Sequence, residues 1–192
     1  MNTKRIFVAI KINNTDQIND LFRKVEFDLF EESIKWVDKN GLHITLLFLG
    51  STDVSEIVKV NSKLNKIGNQ FAPFRMNLKS MGAFPSMDHP RILWMGINSD
   101  SSLFDLQKII LNDLLKKGTI EHSKYTPHLT IGRIKGGVKN PEKVKECLLK
   151  LKDWQDSELL ITEFVLMESV LTQQGPIYKV LENFSLNRSR GS

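Results

Sequence analysis

Two short stretches, His43-Ile44-Thr45-Leu46 and His128-Leu129-Thr130-Ile131, repeat the pattern His-x-Thr-x at a separation of 85 residues. Each stretch lies in an apolar, β-branched run, which predicts a β-strand. Side chains at positions i and i+2 of a strand point to the same face, so each stretch presents an imidazole and a hydroxyl side by side. With 4 His in 192 residues, the composition alone predicts roughly 0.19 copies of His-x-Thr. Two copies in matched settings indicate an internal repeat.

The surroundings of the two stretches also repeat. In each half of the chain a strand and a helix precede the His-x-Thr strand, and a second helix follows it. Ile6 in the first strand corresponds to Arg91, and the hairpin of residues 81–97 corresponds to that of residues 167–184. Repeats of this length are typical of two pseudo-symmetric lobes, and a cleft is expected on the pseudo-twofold axis between them.

Further elements follow from hydrophobic periodicity and capping signals. Thr15, Asp53 and Asn140 are the expected N-caps of three helices, and a further helix is expected to end near Gly118. The apolar run of residues 159–171 predicts a single long strand near the end of the chain.

The paired histidines suggest acid–base chemistry at phosphorus. An in-line displacement needs a base that takes a proton from the nucleophile and an acid that protonates the leaving oxygen. Because the ordinary imidazole pKa is about 6.5, one of the pair can be neutral while the other is protonated. The hydroxyls of Thr45 and Thr130 can donate to non-bridging phosphate oxygens. Which of His43 and His128 is the acid stays open at this point.

Arg133 offers a fixed positive charge and a planar donor fork suited to phosphate. Strict strand alternation would place it on the face opposite His128, so it can serve as a ligand only if the strand ends or bulges at Gly132. The equivalent residue in the first half is Phe48, which could pack against a base or in the core. Core packing is the expectation for Phe48.

Other candidate residues carry weaker signals. His89 and His122 lie in turn or loop sequence, where solvated histidines are common. The aromatic side chains of Trp36, Trp94 and Tyr178 could stack on nucleobases, but half-buried structural roles are the expectation.

Composition excludes several classes of protein. A hydrophobic content of 41% fits a folded domain, and a net charge of +5 fits either an anionic partner or an ordinary solvated surface. The single cysteine, Cys147, cannot form an internal disulfide and is expected in the core. No apolar stretch is long enough to cross a bilayer. These features predict a cytoplasmic protein.

Several familiar catalytic motifs are absent. The sequence has no Walker A loop, dinucleotide-binding glycine pattern, serine-hydrolase elbow or zinc-peptidase motif. Neither His-x-Thr stretch has a carboxylate close in sequence that would complete a metal site. The chemistry is therefore expected to need no metal ion or other cofactor.

At the level of whole motifs, the chain closely resembles the two-histidine phosphoesterases, and among them the RNA 2',3'-cyclic phosphodiesterases, historically called 2'-5' RNA ligases. The resemblance rests on "HITLLFLG" and "HLTIGR", preceded by "IKWVDKNGLH" and "YTPH", and on "GAFPSMDHPRILWMGI" between them. It implies an α+β fold of two lobes, each an antiparallel sheet with outer helices, facing a central cleft. It places one bilobal domain at residues 1–188, with 189–192 left as a tail or vector-derived remnant.

The resemblance also implies an activity, hydrolysis of a terminal 2',3'-cyclic phosphate to a 2'-phosphomonoester. By motif position, His43 would be the proton donor and His128 the proton acceptor, with Thr45, Thr130 and Arg133 binding the phosphate. The expected substrates are RNA ends with a cyclic phosphate or small cyclic nucleotides, and the expected state is a monomer without membrane contact. Two alternatives are an ATP-independent 2'-5' RNA ligase and a noncatalytic RNA- or nucleotide-binding module.

Overall fold

The computed structural model describes residues 2–115, 125–173 and 175–187. In these residues all strand pairing is antiparallel. The strands are β1 (Thr3–Lys11), β2 (Ile34–Trp36), β3 (His43–Asp53), β4 (Phe74–Pro85), β5 (Pro90–Ser99), β6 (His128–Ile134), β7 (Leu159–Ile161), β8 (Glu163–Thr172) and β9 (Gly175–Ser185).

The described α-helices are α1 (Asp16–Asp28), α2 (Val54–Gln70), α3 (Ser102–Leu114) and α4 (Pro141–Lys150). Three of them, α1, α2 and α4, begin where the capping signals predict. The side chains of Thr15, Asp53 and Asn140 each accept a hydrogen bond from a backbone N–H of the first helical turn, which confirms these N-caps. The predicted helix end near Gly118 lies outside the described residues.

The strands form one curled sheet with the order β7-β4-β5-β6-β3-β1-β8-β9. Between the two middle strands, β6 and β3, the ladder consists of the pair Ile44 and Leu129. The sheet therefore divides into a first lobe (β1, β3, β8 and β9) and a second lobe (β4, β5, β6 and β7). This arrangement, with four helices packed against the sheet, confirms the predicted α+β fold class.

Two sequence expectations about the outer strands are wrong. The run 159–171 is not one strand, because it breaks at Thr162: β7 pairs with β4 in the second lobe and β8 pairs with β1 in the first. The expected match between the hairpins holds for β4 and β8, which take equivalent places in the two lobes. It fails for their second strands, because β5 lies between β4 and β6 whereas β9 forms the outer edge.

One face of the sheet is covered by the helices and the other carries the cleft. Apolar side chains of the helices and of the strand face beneath them form a continuous core. Ile44, Leu46, Leu129 and Ile131 are almost completely buried there, as strand alternation predicts. The His-x-Thr side chains therefore point to the opposite face.

Candidate active site

The two His-x-Thr stretches meet at the centre of the sheet. The bridge between β3 and β6 joins Ile44 and Leu129, the residues in the middle of each stretch. In an antiparallel pair the residues one step to either side also oppose each other, so each histidine faces the threonine of the other stretch. The resulting group on the cleft face consists of His43, Thr45, His128 and Thr130. The two imidazoles are diagonal neighbours in this group, within reach of one ligand.

Both imidazoles are oriented by the same backbone hydrogen bond. The Nδ1 of His43 lies 2.7 Å from the carbonyl oxygen of Gly41, and the Nδ1 of His128 lies 2.8 Å from that of Thr126. Because a carbonyl can only accept, each Nδ1 must carry the proton and donate it. The Nε2 atom of each ring is therefore the one available for proton transfer.

Aromatic side chains pack against each imidazole. The His43 ring lies 5.0 Å from the ring of Phe7 and 4.7 Å from that of Tyr178, which meets it edge-on. The His128 ring lies 4.9 Å from the ring of Phe84, also edge-on. These contacts restrict ring rotation and complement the hydrogen bonds at Nδ1.

A β-bulge turns Arg133 toward the cleft. The ladder between β5 and β6 shifts between Leu93 and Trp94, which leaves Ile131 as an extra residue on β6. An extra residue reverses the alternation of the side chains beyond it, so Arg133 falls on the same face as His128. The sequence predicts that Arg133 reaches the cleft only if the strand ends or bulges at Gly132. The bulge is present, but its extra residue is Ile131.

A matching bulge changes the position of Phe48. The ladder between β1 and β3 shifts between Val8 and Ala9, which leaves Leu46 as the extra residue on β3. Phe48 therefore faces the cleft, where its side chain is 66% exposed and its ring lies 5.7 Å from that of Phe7. The expectation that Phe48 packs in the core is wrong, because it assumed unbroken alternation.

Comparison with known proteins agrees with this geometry. A sequence profile of the 2'-5' RNA ligase superfamily matches residues 19–172. An RNA 2',3'-cyclic phosphodiesterase of Archaeoglobus fulgidus is 34% identical over 94% of this chain and 99% of its own length. The chain belongs to the 2'-5' RNA ligase superfamily. A further superfamily relative, the RNA 2',3'-cyclic phosphodiesterase of Aquifex aeolicus, is 33% identical over 97% of this chain and 99% of its own length.

Solved structures show the same fold. The TT0787 protein of Thermus thermophilus superposes with a TM-score of 0.75 over 95% of this chain and 98% of its own, at 24% identity. E. coli LigT in complex with 3'-AMP superposes with a TM-score of 0.69 over 97% of this chain and 100% of its own, at 19% identity. At these identities the superpositions show that the three proteins share a fold.

Burial and neighbouring charges act on the imidazole of His43. Burial is the main cause that lowers the pKa of His43 below its usual value near 6.5, and the charges of Arg133 and His128 lower it further. The hydrogen bond to the Gly41 carbonyl acts in the opposite direction but is outweighed. His43 is therefore neutral at neutral pH when no anion occupies the cleft.

The remaining candidate residues are two histidines from loop sequence and three aromatic residues. His89 is exposed in the loop between β4 and β5, as expected, and His122 lies outside the described residues. The half-buried state predicted for three aromatic side chains is confirmed for Trp36, Trp94 and Tyr178. Tyr178 also lines the cleft, where its ring contacts the imidazole of His43.

Neither Cys147 nor the possible metal-binding residues form a cluster of ligands in the described part of the chain. Cys147 is buried in the core, as predicted, with 4% of its surface exposed. Within residues 2–115, 125–173 and 175–187, no group of three or more His, Cys, Asp or Glu side chains is placed to hold a metal ion. Nor is any helix in these ranges both long and apolar enough to span a membrane.

Sequence reasoning missed a residue that links the two stretches. The hydroxyl of Tyr125, three residues before His128, donates a hydrogen bond of 3.1 Å to the backbone carbonyl of Thr45. The available signal was its place in the motif Tyr-Thr-Pro-His, directly before the second strand. Its partner is 80 residues away in sequence, which only folding reveals.

Proposed function

We propose that this chain hydrolyses the 2',3'-cyclic phosphate at the end of an RNA to a 2'-phosphomonoester, without a metal ion. The observation that carries the proposal is the diagonal pair of imidazoles on one face, each with Nδ1 fixed and Nε2 free. That pair provides an acid and a base on the two sides of one phosphorus atom. The names of the phosphodiesterase relatives support RNA as the substrate.

In this proposal the reaction is an in-line displacement at phosphorus. His128 Nε2 takes a proton from a water molecule, whose oxygen forms the new bond to phosphorus. The bond from phosphorus to the 3'-oxygen breaks, and that oxygen takes a proton from Nε2 of His43. The 2'-oxygen keeps its bond, so the product is a 2'-phosphomonoester. Each histidine returns to its starting state after proton exchange with solvent.

In this proposal His43 becomes protonated when the substrate binds. In the free protein, burial and the charges of Arg133 and His128 favour the neutral ring by lowering its pKa. A phosphate anion bound between the histidines adds negative charge next to His43 and offsets these effects. Substrate binding therefore raises the pKa of His43 and prepares it as the acid.

Three residues would bind the phosphate in this proposal. The hydroxyls of Thr45 and Thr130 share the cleft face with the imidazoles and can donate to non-bridging oxygens. Arg133 reaches this face through the bulge in β6 and supplies a permanent positive charge. The charge that develops on phosphate in the transition state is stabilised by these fixed donors.

The decisive experiment follows an oligonucleotide that ends in a 2',3'-cyclic phosphate, incubated in excess chelator. We expect a product that carries a 2'-phosphate, identified by mass and by linkage. In the variants His43→Ala and His128→Ala, kcat should fall by about 100- to 10,000-fold, the usual contribution of one acid or base. A 3'-phosphate product, or activity that requires added metal, would contradict the proposal.

His89→Ala is the matched control, because it removes an exposed imidazole in the loop between β4 and β5. Its activity should equal that of the unmodified protein. If either cleft variant also retained full activity, the acid–base assignment would be wrong.

We further propose that the protein acts as a monomer in the cytoplasm. All five proposed site residues come from a single chain and meet on one face of its sheet. The one cysteine is buried and unpaired, which suits a reducing compartment.

A further inference from the structure

The cleft has two chemically different ends. β3 and β6 run antiparallel from the bridge at their centre, so the residues that follow each His-x-Thr stretch extend in opposite directions. The matching bulges bring Phe48 to the cleft face at one end and Arg133 at the other. The pseudo-symmetric site thus becomes asymmetric, with an apolar ring at one end and a cation at the other.

A second cation lies next to Arg133. The short strand β2 pairs with β6 beyond the histidines, and its Lys35 lies directly opposite Arg133. Directly opposed residues of a sheet point to the same face. Trp36, the next residue, points the other way and packs against Phe22 of α1. Lys35 therefore extends an exposed ammonium group over the cleft face.

The end of the Lys35 side chain reaches the opposite lobe. Its Nζ lies against Gly175, the first residue of β9, where a Cβ atom would collide with it. Gly175 has φ +116°, a backbone conformation that residues other than glycine rarely adopt. The backbone at Gly175 therefore leaves open the space in which the ammonium lies.

No carboxylate in the described ranges pairs with the ammonium of Lys35. Some surface lysines are paired with carboxylates, such as Lys4 with Glu168 at 2.9 Å and Lys145 with Asp88 at 2.7 Å. Among the residues that the structure describes, Lys35 has no carboxylate partner. An unpaired ammonium inside a cleft is suited to an anionic ligand.

Arg133, and not Lys35, is among the charges that act on His43. The positive charges that lower the pKa of His43 are those of Arg133 and His128, and Lys35 is not among them. Lys35 lies directly opposite Arg133 on the neighbouring strand, and its Nζ lies against Gly175 of the other lobe. An anion held by Lys35 would therefore be a second one, beside the phosphate that Arg133 contacts.

We propose that Lys35 binds the internucleotide phosphodiester immediately 5' of the reacting cyclic phosphate, so that the RNA strand leaves the cleft over Arg133. This inference rests on the proposed hydrolysis and adds a subsite for a polynucleotide. The enzyme then favours RNA ends over cyclic mononucleotides, because only RNA ends carry this second phosphate. A single positive charge at the subsite is sufficient, since the phosphodiester carries one negative charge.

The test compares three substrates in the full-length protein. They are a 2',3'-cyclic mononucleotide, a dinucleotide with a 2',3'-cyclic phosphate, and the same dinucleotide with an uncharged methylphosphonate linkage. For the unmodified protein we expect KM for the charged dinucleotide to be on the order of tenfold lower than for the other two. In Lys35→Met this advantage should disappear, while the kinetics with the mononucleotide stay unchanged. Lys35→Arg should restore most of it.

Two variants locate the effect. Lys66→Met removes an exposed charge on α2 and should keep the full preference for the charged dinucleotide. Lys24→Met removes an exposed charge on α1 and should keep this preference as well. Loss of the preference in either variant would overturn the assignment to Lys35.

The remaining outcomes separate this inference from the proposed function. If Lys35→Met slows all three substrates equally, Lys35 acts on the reacting phosphate or on the fold, and the subsite is wrong. If the unmodified protein shows no preference for the charged dinucleotide, the subsite is also wrong while hydrolysis stands. If the unmodified protein hydrolyses none of the three, the proposed function itself fails.

Discussion

At the residue scale, the two histidines have the same backbone hydrogen bond but different surroundings. His43 lies between Phe7 and Tyr178, so burial disfavours its charged form. Arg133 stands on the same face and disfavours it further. The duplicated motif therefore yields two rings of the same orientation in different surroundings, which suits unequal roles in one reaction.

The first prediction concerns the titration of His43. Without substrate, its midpoint in an NMR titration should lie below 6.5, and Arg133→Met should raise it by removing a nearby positive charge. Since the folded pKa lies below the unfolded one, the unfolded state binds more protons as the pH falls below about 6.5. The part of the stability that depends on neutral His43 is complete above that pH and decreases below it.

Lys66→Met provides the control for this titration, because it removes one positive charge from the exposed side of α2. The midpoint of His43 should not change in that variant. A midpoint at or above 6.5 in the unmodified protein would contradict the assigned effect of burial.

At the element scale, the bulges of β3 and β6 determine which side chains line the cleft. The bulge at Leu46 is supported by Tyr125, whose hydroxyl bonds to the carbonyl of Thr45 next to it. The Tyr125 ring also meets Phe104 of α3 edge-on at 6.0 Å. One side chain thus connects the approach to β6 with α3 and with β3.

The second prediction concerns this connection. Tyr125→Phe keeps the ring but removes the hydrogen bond, whose net contribution to stability is about 0.5–1.5 kcal/mol. We expect a lower Tm and a several-fold lower kcat, because Thr45 would be held less firmly beside the phosphate. Burial raises the pKa of Tyr125, so the hydroxyl remains protonated and able to donate throughout the assay range. Thermal unfolding and steady-state kinetics measure both effects, and unchanged values in both would show that the bond does not support β3.

At the scale of the whole molecule, neither lobe is built from one half of the chain. The first lobe joins β1 and β3 to β8 and β9, while the second places β4 beside β5 and β6. We propose on this basis that residues 1–188 form a single domain that arose by internal duplication with exchange of outer strands. The equivalent places of β3 and β6, of β1 and β5, and of β8 and β4 support the proposal.

The third prediction tests this exchange. Residues 1–100 and 101–192, produced separately, should each lack stable tertiary structure, because β1 loses β8 and β6 loses both β5 and β3. Mixing the two fragments should restore dispersed NMR spectra, since all strand pairs are then available. A cooperative thermal transition in either isolated fragment would show that a lobe can form from one half of the chain.

Much of the fold could be predicted from local sequence, because local signals determine helix caps and strand alternation. Thr15, Asp53 and Asn140 cap their helices as expected, and Ile44 and Leu129 are buried opposite the histidines. The break at residue 162 could not be predicted, because both resulting strands are apolar and their partners lie far away in sequence.

The sequence by itself determined the two His-x-Thr strands, the face that they share and the family to which the chain belongs. These features depend on residue type and on a spacing of two along a strand, which are local properties. Only the tertiary structure decided the cleft positions of Phe48, Arg133 and Lys35. Phe48 and Arg133 owe their positions to one-residue shifts between neighbouring strands, and Lys35 owes its position to the pairing of β2 with β6. Strand pairing and its shifts are properties that neither strand encodes alone.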